Sequence, residues 1–112
     1  MSTSEPYVAA HNLIRAHAKI VEVYRRKFQV EQQGVIGITN NCDWREPKTD
    51  TPEDRAAAQR GLEFFIGWFA DPIYLGDYPA VMRERVGDRL PYFTEEEKAM
   101  IKGSSDFFGL NF

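Results

Sequence analysis

Two short segments, at 35–40 and 106–112, have the composition of buried β-strands, and the pattern between them indicates helices and loops. Both are rich in apolar residues without strict alternation, which is typical of strands covered on both faces. Strands separated by helices rather than by a tight turn favour parallel pairing, because a parallel connection needs a long crossover. The spacing therefore predicts a right-handed β–α–β unit.

The sequence ends within the second of these segments, at Phe112. A strand buried on both faces needs neighbouring strands and covering helices, and no further strand follows in the sequence. We therefore expect the chain to be a slice of a larger α/β structure, with open strand edges.

The segment from about 5 to 28 has apolar residues at spacings of three and four, with charged residues on the opposite face. This pattern predicts an amphipathic helix that packs on one side. Leu13 and Ile20 are expected to widen its apolar stripe. Ser4 is the expected N-cap, and Pro6 fits the first turn, where a missing N–H costs no hydrogen bond.

A second helix is predicted to begin at Thr51, with Thr51 as N-cap and proline at the first helical position, and to end at Asp71-Pro72. Phe64 and Trp68 make it apolar on more than one face, so another element should cover them.

Two shorter helices are predicted before the second strand. The first runs from about 79 to 86. The other is opened by a capping-box pair, Thr94 and Glu97, and closed by Gly103.

The composition excludes several classes of protein. The net charge is −3 and the basic residues are scattered, so no nucleic-acid surface is predicted. No apolar stretch approaches the roughly 20 residues of a membrane span, and the N-terminus carries no secretion signal. Cys42 is the single cysteine, which rules out an internal disulfide, and we expect a cytoplasmic location.

Residues 1–112 are predicted to form a single structural unit, without a division into domains.

Five motifs in order carry a family resemblance. They are HNLIRAHA at 11–18, GITNNCDWREP at 37–47, WFADPIY with GDYP at 68–79, RLPYFT at 89–94 and DFFGLN at 106–111. Together they resemble glycoside hydrolase family 1, the β-glucosidases and their relatives. The resemblance implies an α/β fold, a partial (β/α)8 TIM barrel. The chain would supply helix 4, strand 5, helical region 5 and strand 6, which is two of eight strands and about a quarter of the barrel.

The resemblance implies hydrolysis of β-glycosides with retention, by two carboxyl groups about 5–5.5 Å apart. The family carries its acid/base in an Asn-Glu-Pro motif and its nucleophile in a Glu-Asn-Gly motif, and this sequence has neither. Glu5-Pro6 follows Ser4 rather than asparagine and has no strand before it. We interpret Glu5 as a residue of the first helical turn, so no catalytic residue is predicted here.

In a (β/α) barrel the functional residues lie at the carboxyl ends of the strands. The resemblance implies that Asn41, Cys42, Asp43, Trp44 and Asn111 face the substrate side, chiefly where the leaving group binds. Amide groups suit hydrogen bonds to sugar hydroxyls, and an indole suits stacking on a sugar ring. The alternative interpretation is that Asn41 caps a turn and Trp44 packs under the loop.

The two histidines lie on one helix. His11, near the helix start, is a further candidate for lining the substrate cleft, whereas His17 is predicted to pack in the apolar stripe with one ring nitrogen bonded. Their spacing of six residues puts them on different faces of the helix, which argues against a shared metal. We predict no metal site and no cofactor. The aromatic residues between 64 and 78 are interpreted as core rather than as a ligand site.

Two functions remain open. The chain is either part of a β-glucosidase-like retaining β-glycosidase of carbohydrate metabolism, or a non-catalytic, self-assembling barrel fragment, engineered or truncated. Without both catalytic glutamates, the isolated chain is predicted to be inactive. The expected partners are a β-glycoside in the complete barrel, and either the remaining barrel segments or further copies of the chain in a homo-oligomer. No nucleic acid or membrane partner is predicted.

Overall fold

The computed structural model describes residues 3–112. Within that range the helices and strands follow one another along the chain. They are α1 (Glu5–Lys27), α2 (Gln29–Gln32), β1 (Ile38–Asn41), α3 (Pro52–Leu62), a π-helical turn (Glu63–Gly67), α4 (Trp68–Leu75), α5 (Ala80–Val86), a 3-10 turn (Gly87–Arg89), α6 (Glu95–Ile101) and β2 (Phe108–Asn111). The loop between β1 and α3 covers residues 42–51.

The two strands pair in parallel, which confirms the predicted β–α–β unit. Ile38 lies opposite Phe108, and the register continues to Asn41 opposite Asn111. A Cβ added to Gly109 would lie 2.6 Å from Thr39 Oγ1, so a glycine is needed where β2 approaches β1. Both strands are shorter than the segments predicted from sequence.

The core forms where α1 packs against the crossover between the strands. Its buried side chains come from the apolar stripe of α1 and from helices α4 to α6 and their connections. They are Ile14, Ala18, Ile73, Tyr78, Met82, Val86, Leu90, Phe93 and Ile101. The stripe is narrower than the sequence predicts, because Leu13 and Ile20 remain 63% and 62% exposed.

The helix predicted to end at Asp71-Pro72 instead continues to Leu75, so that prediction is wrong. Pro72 lies inside α4, and the helix ends at Gly76, which adopts the left-handed conformation at φ 103°. A proline within a helix removes one backbone hydrogen bond. Here Pro72 and Ile73 are both buried, and their packing offsets that loss.

The predicted helix starts differ in how they are capped. Thr51 and Thr94 each accept a hydrogen bond from a backbone N–H three residues on, and Glu97 completes the capping box at Thr94. Both predictions are confirmed. Ser4 occupies the predicted N-cap position, but it is the Ser4 carbonyl that receives the N–H groups of Tyr7 and Val8.

The prediction that the second strand is buried on both faces is wrong for this chain. Phe108 is 59% exposed and Leu110 is 42% exposed. The helices of the crossover pack mainly on α1 and on one another. Tyr74 of α4 contacts the Phe108 ring, but much of the apolar surface of β2 remains exposed. Among the described residues, no helix combines the length and apolar character needed to cross a membrane.

We expect Ile73→Ala to lower the free energy of unfolding by about 3 kcal/mol, because it leaves a cavity in the core. Leu75→Ala on the same helix is the matched control, since Leu75 is 68% exposed, and it should change stability by less than about 0.5 kcal/mol. Equilibrium urea unfolding measures both. Equal effects would contradict this account of the core.

Candidate functional site

The polar residues that end β1 and β2 meet at one edge of the sheet. Asn111 Nδ2 donates to Asn41 Oδ1 at 2.9 Å, and both side chains are exposed. The Cys42 N–H donates to the Asn111 carbonyl at 3.0 Å, which extends the strand pairing by one residue. These bonds hold the two amides side by side at the carboxyl ends of both strands.

The loop after β1 carries the remaining predicted residues. Cys42 Sγ donates to the Asp43 carbonyl at 3.3 Å, which turns the thiol back onto the loop backbone. Trp44 is 73% exposed, and its Nε1–H donates to Glu46 Oε2 at 2.6 Å. The indole is therefore exposed and held by a carboxylate two residues on.

Sequence reasoning did not identify Glu46 as a partner of the site. The available signal was weak, because an exposed carboxylate two residues from a tryptophan has many other possible partners. Only the path of the loop brings Glu46 Oε2 to the indole N–H. The residue acts on Trp44, whose ring it orients.

His11 lies apart from this edge, in the core. It is 7% exposed, its ring stacks on Phe93 with centroids 4.2 Å apart, and Nδ1 lies 2.9 Å from the Tyr78 hydroxyl. Burial lowers the pKa of His11, although the Glu97 carboxylate opposes that shift. His11 thus ties α1 to the segment that carries Tyr78 and Phe93.

His17 packs as the sequence predicts. Its Nε2 lies 2.7 Å from the Ser104 carbonyl, which bonds one ring nitrogen and links α1 to the loop before β2. Burial lowers the pKa of His17, and the nearby Arg25 guanidinium lowers it further, whereas the bond to Ser104 acts in the opposite direction.

An apolar cavity of about 540 Å³ lies beside β1, and sequence reasoning missed it. Its walls come from α1, β1 and the helical segment around the π-helical turn. They are Leu13, Ile14, Ile38, Thr39, Asn40, Asn41, Phe64, Phe65, Trp68 and Phe69. The aromatic residues interpreted as core therefore also form the wall of an open space.

Two buried donors in this wall have no hydrogen-bond partner among the described residues. They are Asn40 Nδ2 and Trp68 Nε1. Asn40 is only 6% exposed, so its amide is largely removed from solvent. A buried donor without a partner is unfavourable, which makes the cavity a place that fits hydrogen-bond acceptors.

Within residues 3–112, no group of three or more histidine, cysteine or acidic side chains is arranged to hold a metal ion. The side chains gathered at the strand ends are two amides, an indole and a carboxylate. Such groups bind neutral polar molecules by hydrogen bonds and stacking.

The parallel strands, their helical crossover and the polar strand ends define a partial (β/α) barrel. Solved structures of similar sequence have the same arrangement. The β-glucosidase from Trichoderma harzianum matches with a TM-score of 0.94 and 55% identity, covering 98% of this chain and 24% of that one. The rice β-glucosidase Os3BGlu6 matches with a TM-score of 0.96 and 52% identity, covering 98% and 23%.

The sequence comparisons agree with the structures. The model of Glycosyl hydrolase family 1 matches residues 1–112. Beta-glucosidase 1B of Phanerodontia chrysosporium is 56% identical over 98% of this chain. Beta-glucosidase 17 of Arabidopsis thaliana is 55% identical over 99% of it. The chain belongs to glycosyl hydrolase family 1, which confirms the resemblance, and it spans 20% and 22% of the length of these two relatives.

The two histidines should make the free energy of unfolding decrease in mildly acidic solution. Burial holds the folded-state pKa of His11 and His17 below the ordinary value of 6.5, so folding favours their neutral forms. Their contribution to stability is complete above about pH 6.5 and is lost as the pH falls through the folded-state values. Urea unfolding at intervals between pH 7.5 and 5 should reveal this decrease.

His11→Gln removes one titrating group, so it should flatten that pH dependence while leaving the contribution of His17. The groups that face His11 are Tyr78 and the charged side chains of Arg15, Arg83 and Glu97. Carboxylates with lowered pKa, such as Glu97, lose their contribution only below about pH 4.5. An unchanged slope between pH 7.5 and 5 in the variant would contradict the role of His11.

Asn40→Leu should raise the free energy of unfolding of the chain by about 1 kcal/mol, because it removes a buried donor that lacks a partner. Asn41→Leu is the matched control, since that amide is exposed and bonded to Asn111, and we expect no gain. Urea unfolding measures both variants. A loss of stability in Asn40→Leu would mean that the amide is satisfied in solution.

Proposed function

We propose that this chain is part of a retaining β-glycosidase that hydrolyses β-glucosides, and that it forms the wall on the leaving-group side of the cleft. The paired amides of Asn41 and Asn111 at the strand ends are the observation that carries this proposal. The proposal is also supported by the family of the chain, because the relatives and solved structures that it matches are β-glucosidases.

The chemistry of the strand ends suits a sugar or an aromatic leaving group. The hydrogen bond between the amides uses Asn111 Nδ2 and Asn41 Oδ1, so Asn41 Nδ2 remains as a donor and Asn111 Oδ1 as an acceptor. A hydroxyl group can accept from one and donate to the other. Trp44 adds an exposed apolar ring at the same end of β1, held by Glu46.

The chain supplies binding groups but not the acid pair. Retention requires two carboxyl groups about 5–5.5 Å apart, one to attack and one to protonate the leaving group. Neither the Asn-Glu-Pro nor the Glu-Asn-Gly motif occurs in the sequence, and Glu46 is engaged with the indole of Trp44. In this proposal the glutamates come from other segments of the barrel, and the isolated chain does not turn over substrate.

A non-catalytic, self-associating role is the second candidate, and exposed apolar side chains favour it. Phe108 and Leu110 on β2 are 59% and 42% exposed, and Phe112 is 96% exposed. Surfaces of this kind favour association with copies of the chain. Light scattering separates the candidates, because self-association predicts an oligomer whose size is unchanged by the remaining barrel segments.

A cytoplasmic location is also part of the proposal. Its support is the single Cys42, which has no partner in the sequence with which to form an internal disulfide. Fractionation of cells that express the full-length protein would test it.

Purified chain incubated with an aryl β-glucoside should release no product above background, because both catalytic carboxyl groups are missing. Adding the segments of the Trichoderma harzianum β-glucosidase that precede and follow the matched region should restore turnover. Turnover by the chain alone, abolished by a β-glucosidase inhibitor, would contradict the proposal.

In the reconstituted barrel, Asn41→Ala should lower kcat/KM by about tenfold, the effect of losing roughly one hydrogen bond to the leaving group. Thr49→Ala is the matched control, because Thr49 lies in the same loop but bonds Thr51 and Asp54. Equal activity of Asn41→Ala and the unsubstituted chain would remove Asn41 from the site.

A further inference from the structure

We propose that Arg45 is a positioning residue, which anchors the loop between β1 and α3 so that Trp44 is held at a fixed place on the leaving-group side of the cleft. The contacts that carry this proposal join Arg45 to Gly61 on α3 and to Phe65 in the π-helical turn. The proposal rests on the function proposed above, and it makes Arg45 a determinant of which leaving groups bind tightly.

The stem of the Arg45 side chain lies across α3 at Gly61. A Cβ built at Gly61 would lie 3.2 Å from Arg45 Cγ and 3.6 Å from Arg45 Cδ, and the three atoms nearest to it all belong to Arg45. The helix surface at position 61 therefore has room that the arginine stem fills. Arginine commonly covers a surface with its apolar stem while its charged group remains in water.

The guanidinium of Arg45 lies over the Phe65 ring. Its Cζ atom is 5.8 Å from the ring centroid, which is within the range of about 6 Å over which a cation is attracted to an aromatic face. Phe65 also lines the cavity beside β1, and Asn41 is in the same wall. Arg45 thus ties the loop to the wall that carries a candidate residue of the site.

The side chains on either side of Arg45 bond to each other. Trp44 Nε1–H donates to Glu46 Oε2 at 2.6 Å. In an extended segment, residues two apart point to one side and the residue between them points to the other. The bond to Glu46 is local, so it orients the ring within the loop but does not hold the loop on the helix. Arg45 makes that second connection, from the opposite side of the loop.

The two ends of the loop are held by other bonds. The Cys42 N–H donates to the Asn111 carbonyl at the start, and Thr49 bonds to the first turns of α3 at the end. Arg45 lies between these ends. The Trp44 side chain is 73% exposed, so burial does little to order it. The Arg45 contact therefore determines how well the indole is preorganised for a ring on the leaving group.

Arg45→Ala in the reconstituted barrel tests the proposal with two substrates that share the glucosyl group. For an aryl β-glucoside, KM should rise about fivefold while kcat changes by less than about twofold, because binding of the leaving-group ring is weakened. For methyl β-glucoside, whose leaving group has no ring, both constants should be unchanged. Lys48→Ala is the matched control, since Lys48 is an exposed cation of the same loop, and it should alter neither substrate.

Gly61→Leu breaks the same contact from the side of the helix. Leucine is a good helix former, so α3 should remain intact, but its side chain occupies the place of the Arg45 stem. KM for the aryl β-glucoside should rise as it does in Arg45→Ala. The two substitutions together should have no more effect than either alone, because they remove one shared contact. Arg45→Lys keeps a stem and a cation, and should restore most of the affinity.

The chain alone provides a measurement that does not depend on turnover. Nitrogen-15 relaxation of the Asp43 and Trp44 amides and of the Trp44 indole N–H reports motion of the loop on the picosecond to nanosecond timescale. In Arg45→Ala their order parameters should fall from about 0.85, typical of rigid backbone, to below about 0.6. Lys48→Ala should leave them unchanged.

Three results would overturn the proposal. They are unchanged order parameters in Arg45→Ala, an equal loss of kcat/KM on both glucosides, and additive effects of Arg45→Ala and Gly61→Leu. If the unsubstituted reconstituted barrel hydrolyses neither substrate, the proposed glycosidase function fails. The relaxation measurement then still decides whether Arg45 holds the loop.

Discussion

The parallel pairing of β1 with β2 is the interaction on which the rest of the structure depends. It joins the segment that follows α2 to the last described residues, and it requires a glycine at position 109, where any side chain would collide with Thr39. Parallel strands must be connected by a crossover, so the pairing also determines where the helices between them can lie. The core and the polar edge both follow from this arrangement.

The helical crossover divides the molecule into a closed side and an open side. On the closed side, α1 packs against helices α4 to α6, and two histidines reinforce the contact through bonds to Tyr78 and Ser104. On the open side, Phe108 and Leu110 are exposed and a cavity remains beside β1. Such uneven burial is expected of two strands from a (β/α) barrel, because the other strands and helices of the barrel would cover the exposed apolar surface.

The candidate site is built from the same strand pairing. Asn41 and Asn111 are opposite each other in the register, so their amides meet without any contribution from the helices. Trp44 is held by a bond within its own loop, to Glu46. His11 has a different part in the molecule, because its ring lies in the core and bonds Tyr78. A site at a sheet edge thus depends on backbone register more than on helix packing.

The sequence by itself determined the elements, because their signals are local. Thr51 and Thr94 begin helices through bonds to nearby backbone groups, and the family motifs indicated the barrel and the residues at its strand ends. Tertiary structure decided what depends on distant contacts. It continued the helix through Pro72 by burying that residue, left β2 uncovered, and opened the cavity beside β1. Burial is a property of the neighbours that fold around a residue, and the sequence of one segment does not contain them.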